Sequence, residues 1–284
     1  MSRRPVAGVD AHAHVMRVSA KLVGERHSAP QRDVTVQEYI HLLDANGLSH
    51  GVLTAPSFFG TDNSLLLQAL DAFPDRLAGT VIVDPGIEES ALADMNRRGV
   101  AGIRLNWTRR AKLPDVGSAE YAGLFKKLGR LGMHVELFVE DAYAAHIIPR
   151  LLDYGIPMVI DHFGAPDSAK GTNGPGFKQM TRAVASGRAW VKLSAPYRLE
   201  GVDPRRYVDA LLEAGGPGQL MWGSDFPWIS HEDYLGGPTL RACLQWLVDW
   251  VPDAAARQVI LCDAPARVFG FDARAWPNGL AFAG

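Results

Sequence analysis

The sequence predicts an α/β fold, a (β/α)₈ TIM barrel, and three observations lead to it. Short runs rich in Val, Ile and Leu recur along the 284 residues, amphipathic segments separate them, and the runs number eight. Buried runs that alternate with helices are typical of a parallel sheet. Eight such units close into a barrel, which a chain of roughly 250 residues builds as one domain. We therefore expect residues 1–284 to form a single domain.

Each predicted strand is a short apolar run, and each predicted helix has an apolar stripe at helical spacing. Several of the helical segments stop next to a glycine, as helices commonly do. The predicted strands are Gly8–His14, Gly51–Ala55, Leu77–Val83, Val100–Asn106, Met133–Val139, Pro157–His162, Ala189–Ser194 and Gln219–Asp225. The predicted helices are Thr35–Asn46, Asn63–Phe73, Glu88–Arg98, Ser118–Leu131, Ala142–Tyr154, Phe177–Ser186, Pro204–Ala214 and Leu240–Val251.

Charge and hydropathy exclude several classes of partner. The 29 Lys and Arg residues nearly balance 31 Asp and Glu residues, so the net charge of −2 gives no attraction for nucleic acid or an anionic membrane. No apolar run approaches the roughly 18 residues of a membrane span, and the start of the chain lacks the apolar stretch of a signal peptide. We expect a cytoplasmic protein. Its oligomeric state stays open, because Trp246, Trp250 and the tail Phe271–Gly284 could pack in a core or in an interface.

Polar and titratable residues stand where the predicted strands end. The active site of a (β/α)₈ barrel lies at the carboxyl ends of its strands, so these residues predict an enzyme. Side chains alternate along a strand, and two imidazoles in an H-x-H pattern therefore point to the same side. The strand-end residues are His12 and His14, Arg104 and Asn106, Asp161 and His162, Lys192 and Ser194, and Ser224 and Asp225.

An H-x-H on the first strand, a His on the sixth and an Asp on the eighth resemble the amidohydrolase superfamily, in its amidohydrolase-related family 2. Five segments are similar to the branch of 2-pyrone-4,6-dicarboxylate lactonases and sugar-acid lactonases, namely Ser57–Asn63, Val83–Pro85, Gly102–Asn106, Ile160–Gly164 and Trp222–Pro227. The resemblance implies an amidohydrolase-like barrel that hydrolyses a lactone ring.

The metal content is a separate question. Two-metal amidohydrolases need further carboxylate, Lys and His ligands from the middle strands, and Arg104 stands at the end of strand four instead. His12, His14 and Asp225 are suitable donors for a single Zn or Mn ion. The resemblance to the pyrone lactonases implies catalysis without a metal, and a protein that requires no cofactor is our first expectation.

Lactone hydrolysis needs a base for water and donors for the developing oxyanion. We assign Asp225 as the base, and His162 with His12 or His14 as donors to the carbonyl oxygen. The resemblance assigns carboxylate binding to Arg104, Arg110 and Arg198, which predicts a small anionic substrate, a mono- or dicarboxylate. Arg109 we interpret as solvated surface. The polar neighbours that we expect around the substrate are Ser57, Asn106, Ser194 and Tyr197.

The chain departs from the lactonase pattern at two places. Phe59 stands where the pyrone lactonases tend to have a His, and Phe138 where they have a Tyr, so the pocket is expected to prefer a less polar substrate. Two alternatives also remain. One is a metal-dependent decarboxylase or amide hydrolase of the same superfamily, and the other is a barrel that binds a carboxylate without turnover.

Overall fold

The structure, a computed structural model, describes residues 5–110 and 112–271. Its strands form one parallel sheet in chain order, from β1 to β8, and β8 returns to β1. The predicted (β/α)₈ barrel is confirmed. The strands are β1 Val9–Ala13, β2 His50–Thr54, β3 Leu77–Val81, β4 Val100–Asn106, β5 His134–Phe138, β6 Met158–Ile160, β7 Ala189–Leu193 and β8 Leu220–Trp222.

Helices follow the strands and cover the outside of the barrel. Local signals in the sequence fix several of their ends: the Thr35 side chain accepts a hydrogen bond from the backbone N–H of Glu38, and Gly132 ends α4 with a φ of 67°. The helices are α1 Val36–Ala45, α2 Ser64–Ala72, α3 Glu89–Arg97, α4 Ala119–Leu131, α5 Asp141–Asp153, α6 Pro175–Ala185, α7 Arg205–Gly215, α8 Leu240–Trp250, α9 Ala254–Gln258 and α10 Ala264–Phe269.

The sixth and eighth strands differ most from their predicted lengths. The predicted sixth and eighth strands extend to His162 and Asp225, whereas β6 ends at Ile160 and β8 at Trp222. The reason is backbone conformation, because His162 has a φ of 50° and Asp225 a φ of 58°. These values belong to the left-handed region and cannot continue an extended ladder.

The interior of the barrel is layered. The layer at the amino-terminal end is apolar, and Val9, Val52, Trp190 and Met221 pack there against the segment that follows α9, including Phe271. The predicted apolar tail lies outside the described residues from position 272 onward. Of the other two candidates for an interface, Trp250 is only 7% exposed and belongs to the core between strands and helices, and Trp246 is partly buried against that core.

The barrel closes at a seam between β1 and β8, and Asp10 holds this seam. Its carboxylate accepts hydrogen bonds from the backbone N–H of Ser224 at 2.7 Å, the Ser224 hydroxyl at 2.6 Å and the Tyr39 hydroxyl at 3.1 Å. Backbone bonds continue the seam, because the N–H of Asp225 donates to the carbonyl of His12 at 2.9 Å. The seam therefore brings the end of β8 against the H-x-H segment.

A register shift in β1 lets Asp10 and His12 face different neighbours, although they are two residues apart in the strand. Pairing with β2 is irregular between Asp10 and Ala13, and Asp10 faces Tyr39 of α1 while His12 faces the barrel interior. Such an irregularity re-aims side chains along a strand.

In the described part of the chain, no helix has the length and apolar character that crossing a membrane requires.

We predict that Asp10→Asn lowers the free energy of unfolding by about 2 to 4 kcal/mol, because an amide would turn its own N–H donors toward donors of Ser224 and Tyr39. Urea denaturation followed by fluorescence measures the change. Asp209→Asn, on the exposed side of α7, is the matched control. Equal denaturation midpoints for the two variants would contradict the role of Asp10.

Candidate active site

Asp225 is the centre of the candidate site. Its Oδ1 lies 3.5 Å from Nε2 of His12, 3.6 Å from Nε2 of His14 and 3.7 Å from Nε2 of His162. All four side chains are buried. The structure thus brings the four predicted catalytic residues together, although residues 14 and 225 are far apart in the chain.

The strand ends explain how these side chains meet. His12 lies within β1 and His14 just beyond it, whereas His162 follows β6 and Asp225 follows β8. His162 and Asp225 both adopt left-handed backbone conformations, which cost a non-glycine residue on the order of 1 kcal/mol. Backbone strain of this kind concentrates at functional sites, where surrounding contacts maintain it.

The second carboxylate oxygen of Asp225 is held from the opposite side. The Tyr197 hydroxyl donates to Oδ2 at 2.5 Å, and Nη2 of Arg198 donates at 3.3 Å. Burial alone would raise the pKa of Asp225, but the neighbouring His162 and Arg198 hold this pKa well below its usual range. Asp225 is therefore ionised at neutral pH, and Oδ1 is its less engaged oxygen.

Hydrogen bonds orient two of the imidazoles. Nδ1 of His14 lies 2.6 Å from the carbonyl oxygen of Thr54, which can only accept, so Nδ1 carries a proton and the neutral form of this ring has its lone pair on Nε2. Nδ1 of His162 lies 2.7 Å from the Ser194 hydroxyl. Burial lowers the pKa of His162 to about 3, so this ring is neutral at pH 7.

Ser194 requires a correction. The sequence interpretation placed it beside the substrate, but its side chain is buried against His162 and does not line the cavity above the site. It lies beyond the end of β7, where its hydroxyl reaches the ring of His162. Ser194 therefore orients the imidazole.

A layer of four buried charges lies directly beneath the site. Nζ of Lys192 contacts Oε2 of Glu136 at 2.6 Å and Oδ1 of Asp161 at 3.2 Å, and Nη2 of Arg104 contacts Oδ2 of Asp161 at 2.7 Å. Two cations thus balance two anions. Burial and the neighbouring Asp161 raise the pKa of Glu136, whereas Lys192 and Arg104 outweigh the effect of burial at Asp161 and lower its pKa.

The sequence placed Asp161 and Lys192 among the strand-end residues without a role for either, and it did not assign Glu136 to the site. A signal was present, because each of these charges interrupts an apolar run or stands at its end. Arg104, which was predicted to bind substrate, belongs mainly to this layer. Its Nε and Nη2 both donate to Asp161, and its Nη1 donates to the carbonyl of Ala55 at 3.1 Å.

A cavity of about 660 Å³ opens above Asp225 at the carboxyl ends of the strands. Cations line it, because Arg104, Arg109 and Arg198 all reach its wall. Partial burial lowers the pKa of His27, and the positive charges of these three arginines lower it further. The cavity is therefore suited to an anion. The predicted polar neighbours Ser57, Asn106 and Tyr197 also line this cavity.

The two arginines after β4 exchange their predicted roles. Arg109 lines the cavity, whereas Arg110, which was predicted to bind substrate, is exposed and outside it. The chain turns sharply here: Arg109 has a φ of 60°, and its N–H donates to Oε1 of Glu140 at 2.6 Å. This turn separates the directions of adjacent side chains and could not be seen in the sequence.

Phe59 and Phe138, the two departures from the lactonase pattern, lie in different surroundings. Phe138 lines the cavity, and its ring lies edge-on to His162 with centroids 4.7 Å apart. Phe59 is not part of the cavity wall, because it packs in the core against Phe58, which does reach the cavity. The prediction of a less polar pocket therefore depends on Phe138 and Phe58.

The donors fit a divalent cation in type and spacing. Within the described residues, His12, His14 and Asp225 form one group of three whose ligand atoms all lie within 4.8 Å of one another, and His12, Asp161 and His162 form another. Nε2 of His12 is buried without a hydrogen-bond partner in this part of the chain, as a ligand atom would be. Neutral imidazoles with a carboxylate are typical of a catalytic zinc site.

Comparison with known proteins identifies the class to which this barrel belongs. The profile of the family described as Amidohydrolase matches residues 9–271. The chain belongs to this family, and the resemblance of its strand-end motifs is confirmed.

Individual relatives are lactone hydrolases. The chain is 29% identical to 4-sulfomuconolactone hydrolase of Hydrogenophaga intermedia, over 94% of this chain and 89% of the relative. It is 27% identical to a 2-pyrone-4,6-dicarboxylate hydrolase of Comamonas testosteroni, over 96% and 92%. A solved structure from Pseudomonas putida, assigned as a 2-pyrone-4,6-dicarboxylic acid hydrolase, is 37% identical with a TM-score of 0.85, over 94% of this chain and 98% of its own.

A more distant barrel illustrates metal binding within this fold. An amidohydrolase from Burkholderia multivorans is 19% identical, with a TM-score of 0.73 over 93% of this chain and 99% of its own, and its structure holds zinc. At this identity the likeness concerns the fold.

We predict that Arg109→Met weakens the binding of a tricarboxylate probe, citrate, about tenfold, because a charge-assisted hydrogen bond contributes roughly 1.5 kcal/mol. Arg110→Met removes the same charge one residue away and should change the affinity less than about twofold, since its side chain lies outside the cavity. Isothermal titration calorimetry measures both. Equal losses for the two variants would contradict the assignment.

Proposed function

We propose that this protein hydrolyses the ring of a small lactone that carries one or two acid groups. One observation carries the proposal: the ionised Oδ1 of Asp225 and the acceptor Nε2 of His14 lie 3.6 Å apart, at the base of a cavity lined by arginines. The relatives named above support the proposal, because their names denote hydrolases of lactones with sulfonate or carboxylate groups.

Asp225 and His14 together can bind the attacking water. A water molecule has two protons, and Oδ1 of Asp225 and Nε2 of His14 are neighbouring acceptors at the base of the cavity. Asp225 takes one proton as the water oxygen attacks the lactone carbonyl, while His14 fixes the direction of attack. The carboxylate has an acceptor oxygen free for this step because Tyr197 and Arg198 engage Oδ2.

The developing negative charge on the carbonyl oxygen needs a donor. His162 supplies it if the Ser194 hydroxyl donates to Nδ1, since the neutral ring then carries its proton on Nε2. The bond between the carbonyl carbon and the ring oxygen breaks next. Asp225 returns its proton to that oxygen, so the opened chain carries one hydroxyl and one carboxylic acid, and the acid releases the second proton of the water to solvent to become a carboxylate.

The cavity wall selects an anionic substrate with a flat apolar face. Arg109 and Arg198 supply planar guanidinium groups that bind carboxylate or sulfonate oxygens. The Phe138 ring lies between His162 and Arg104, whose guanidinium carbon is 5.7 Å from the ring centroid. An unsaturated lactone ring can pack on this surface while its acid groups reach the arginines.

A metal would be held by three of the same residues. If a zinc or manganese ion binds, His12, His14 and Asp225 are the side chains that would hold it, and it would polarise the carbonyl and acidify water. We propose that the reaction proceeds without a metal ion. Arg198 already supplies positive charge, His162 a hydrogen-bond donor and Asp225 a base.

We predict that Asp225→Asn lowers kcat about a thousandfold, because an amide cannot take the proton from water. Binding of an anionic lactone should not weaken, since the substitution removes a negative charge from the cavity floor. Steady-state kinetics with carboxylated lactones gives both quantities, and Asp209→Asn serves as the control. A variant that keeps near-normal kcat would show that Asp225 is not the base.

The decisive experiment is a hydrolysis screen of carboxylated and sulfonated lactones with and without a chelator. We expect turnover that a strong chelator leaves unchanged. If the chelator removes a stoichiometric metal ion and activity is lost with it, and if zinc or manganese then restores the activity, the metal-dependent alternative is favoured. Binding of these lactones without hydrolysis would favour the non-catalytic alternative.

A further inference from the structure

We propose that Lys192 fixes the tautomer of His12 and thereby places the ring proton on Nε2, the nitrogen whose lone pair a metal ion would need. Lys192 is fully buried in the charge layer beneath the site, and the hydrolytic steps above do not use it. It is a positioning residue that acts through His12. The inference uses the proposed lactone hydrolysis for its kinetic measurement alone.

The contact that carries the inference is between Nζ of Lys192 and Nδ1 of His12, which lie 3.1 Å apart in hydrogen-bond geometry. An ammonium group can only donate, so Nδ1 must accept and must be unprotonated. A neutral ring then has its proton on Nε2. This nitrogen lies 3.5 Å from Oδ1 of Asp225.

The competing partner of Nδ1 is less well placed. Oδ1 of Asp161 lies 3.2 Å from the same nitrogen, but this oxygen has no partner in hydrogen-bond geometry within the described residues. Nζ of Lys192, by contrast, is in hydrogen-bond geometry with Nδ1 of His12 at 3.1 Å and with Oε2 of Glu136 at 2.6 Å.

The two imidazoles of the H-x-H segment therefore have opposite polarity at the site. His14 donates through Nδ1 to the carbonyl of Thr54, so its Nε2 has a free lone pair. His12 accepts at Nδ1 and its Nε2 carries a proton. Since a metal needs the lone pair of each ligating nitrogen, one of the two rings is in the wrong form for coordination.

Removing Lys192 should release His12 to the other tautomer. Without the ammonium group, Nδ1 of His12 can donate to Oδ1 of Asp161, and Nε2 then has a lone pair directed at Asp225 and His14. A ring held by a carboxylate in this way is a stronger metal ligand. Lys192→Met should therefore raise zinc affinity and weaken metal-free catalysis.

Nuclear magnetic resonance of the wild-type chain tests the tautomer directly. Histidine labelled with nitrogen-15 distinguishes protonated from unprotonated ring nitrogens, and comparison with the spectrum of His12→Gln assigns the signals of His12. We expect an unprotonated Nδ1 and a protonated Nε2. A proton on Nδ1 of His12 in the wild-type protein would overturn the inference.

The variants test the consequence. Lys192→Met leaves Glu136 and Asp161 with Arg104 as their cation, so the charge-balanced Lys192→Met/Glu136→Gln variant is measured beside it. We expect either folded variant to move the proton of His12 to Nδ1, to bind zinc about tenfold more tightly in competition with a chelator, and to lose kcat more than it raises KM. Lys126→Met, at an exposed position on α4, should match wild type in all three.

Failure of this inference is distinct from failure of the proposed function. The tautomer and the zinc affinity need no substrate, so they stand even if no lactone is hydrolysed. A folded variant with an unchanged tautomer and a zinc affinity within about twofold of wild type would overturn the role of Lys192, whereas the hydrolysis screen tests the reaction.

Discussion

The closure of the barrel between its first and last strands is the constraint on which the rest of the site depends. Asp10 on β1 accepts two hydrogen bonds from Ser224, just beyond β8, and the backbone pairing beside it aligns His12 with Asp225. Glycine is needed at position 223, since a Cβ there would lie 2.8 Å from Cβ of His12. Hydrogen bonding and close packing at this seam together give Asp225 its imidazole neighbours.

Beneath the site, the protein places charges where most (β/α)₈ barrels have branched apolar side chains. Removing ions from water is costly, and it is tolerated here because two cations and two anions contact each other directly. The layer provides fixed donors and acceptors that cannot reorient toward solvent. It therefore connects the rigidity of the interior to the proton positions on His12.

The sequence was sufficient to predict several features that depend on local periodicity. The alternation of apolar runs with helices predicted the barrel, and the side-chain alternation of strands predicted that His12 and His14 face one direction. It was insufficient where one turn decides a direction. Arg109 and Arg110 have equal chemistry, and a left-handed φ of 60° at Arg109 separates them.

By itself, the sequence determined which elements form and which strand ends carry titratable groups, because hydrophobic period and turn residues act over a few neighbouring positions. The tertiary structure alone decided the partners of those groups. Lys192 and His12 are 180 residues apart in the chain and 3.1 Å apart in the fold. A contact of that kind depends on strand register and barrel closure, which no local pattern encodes.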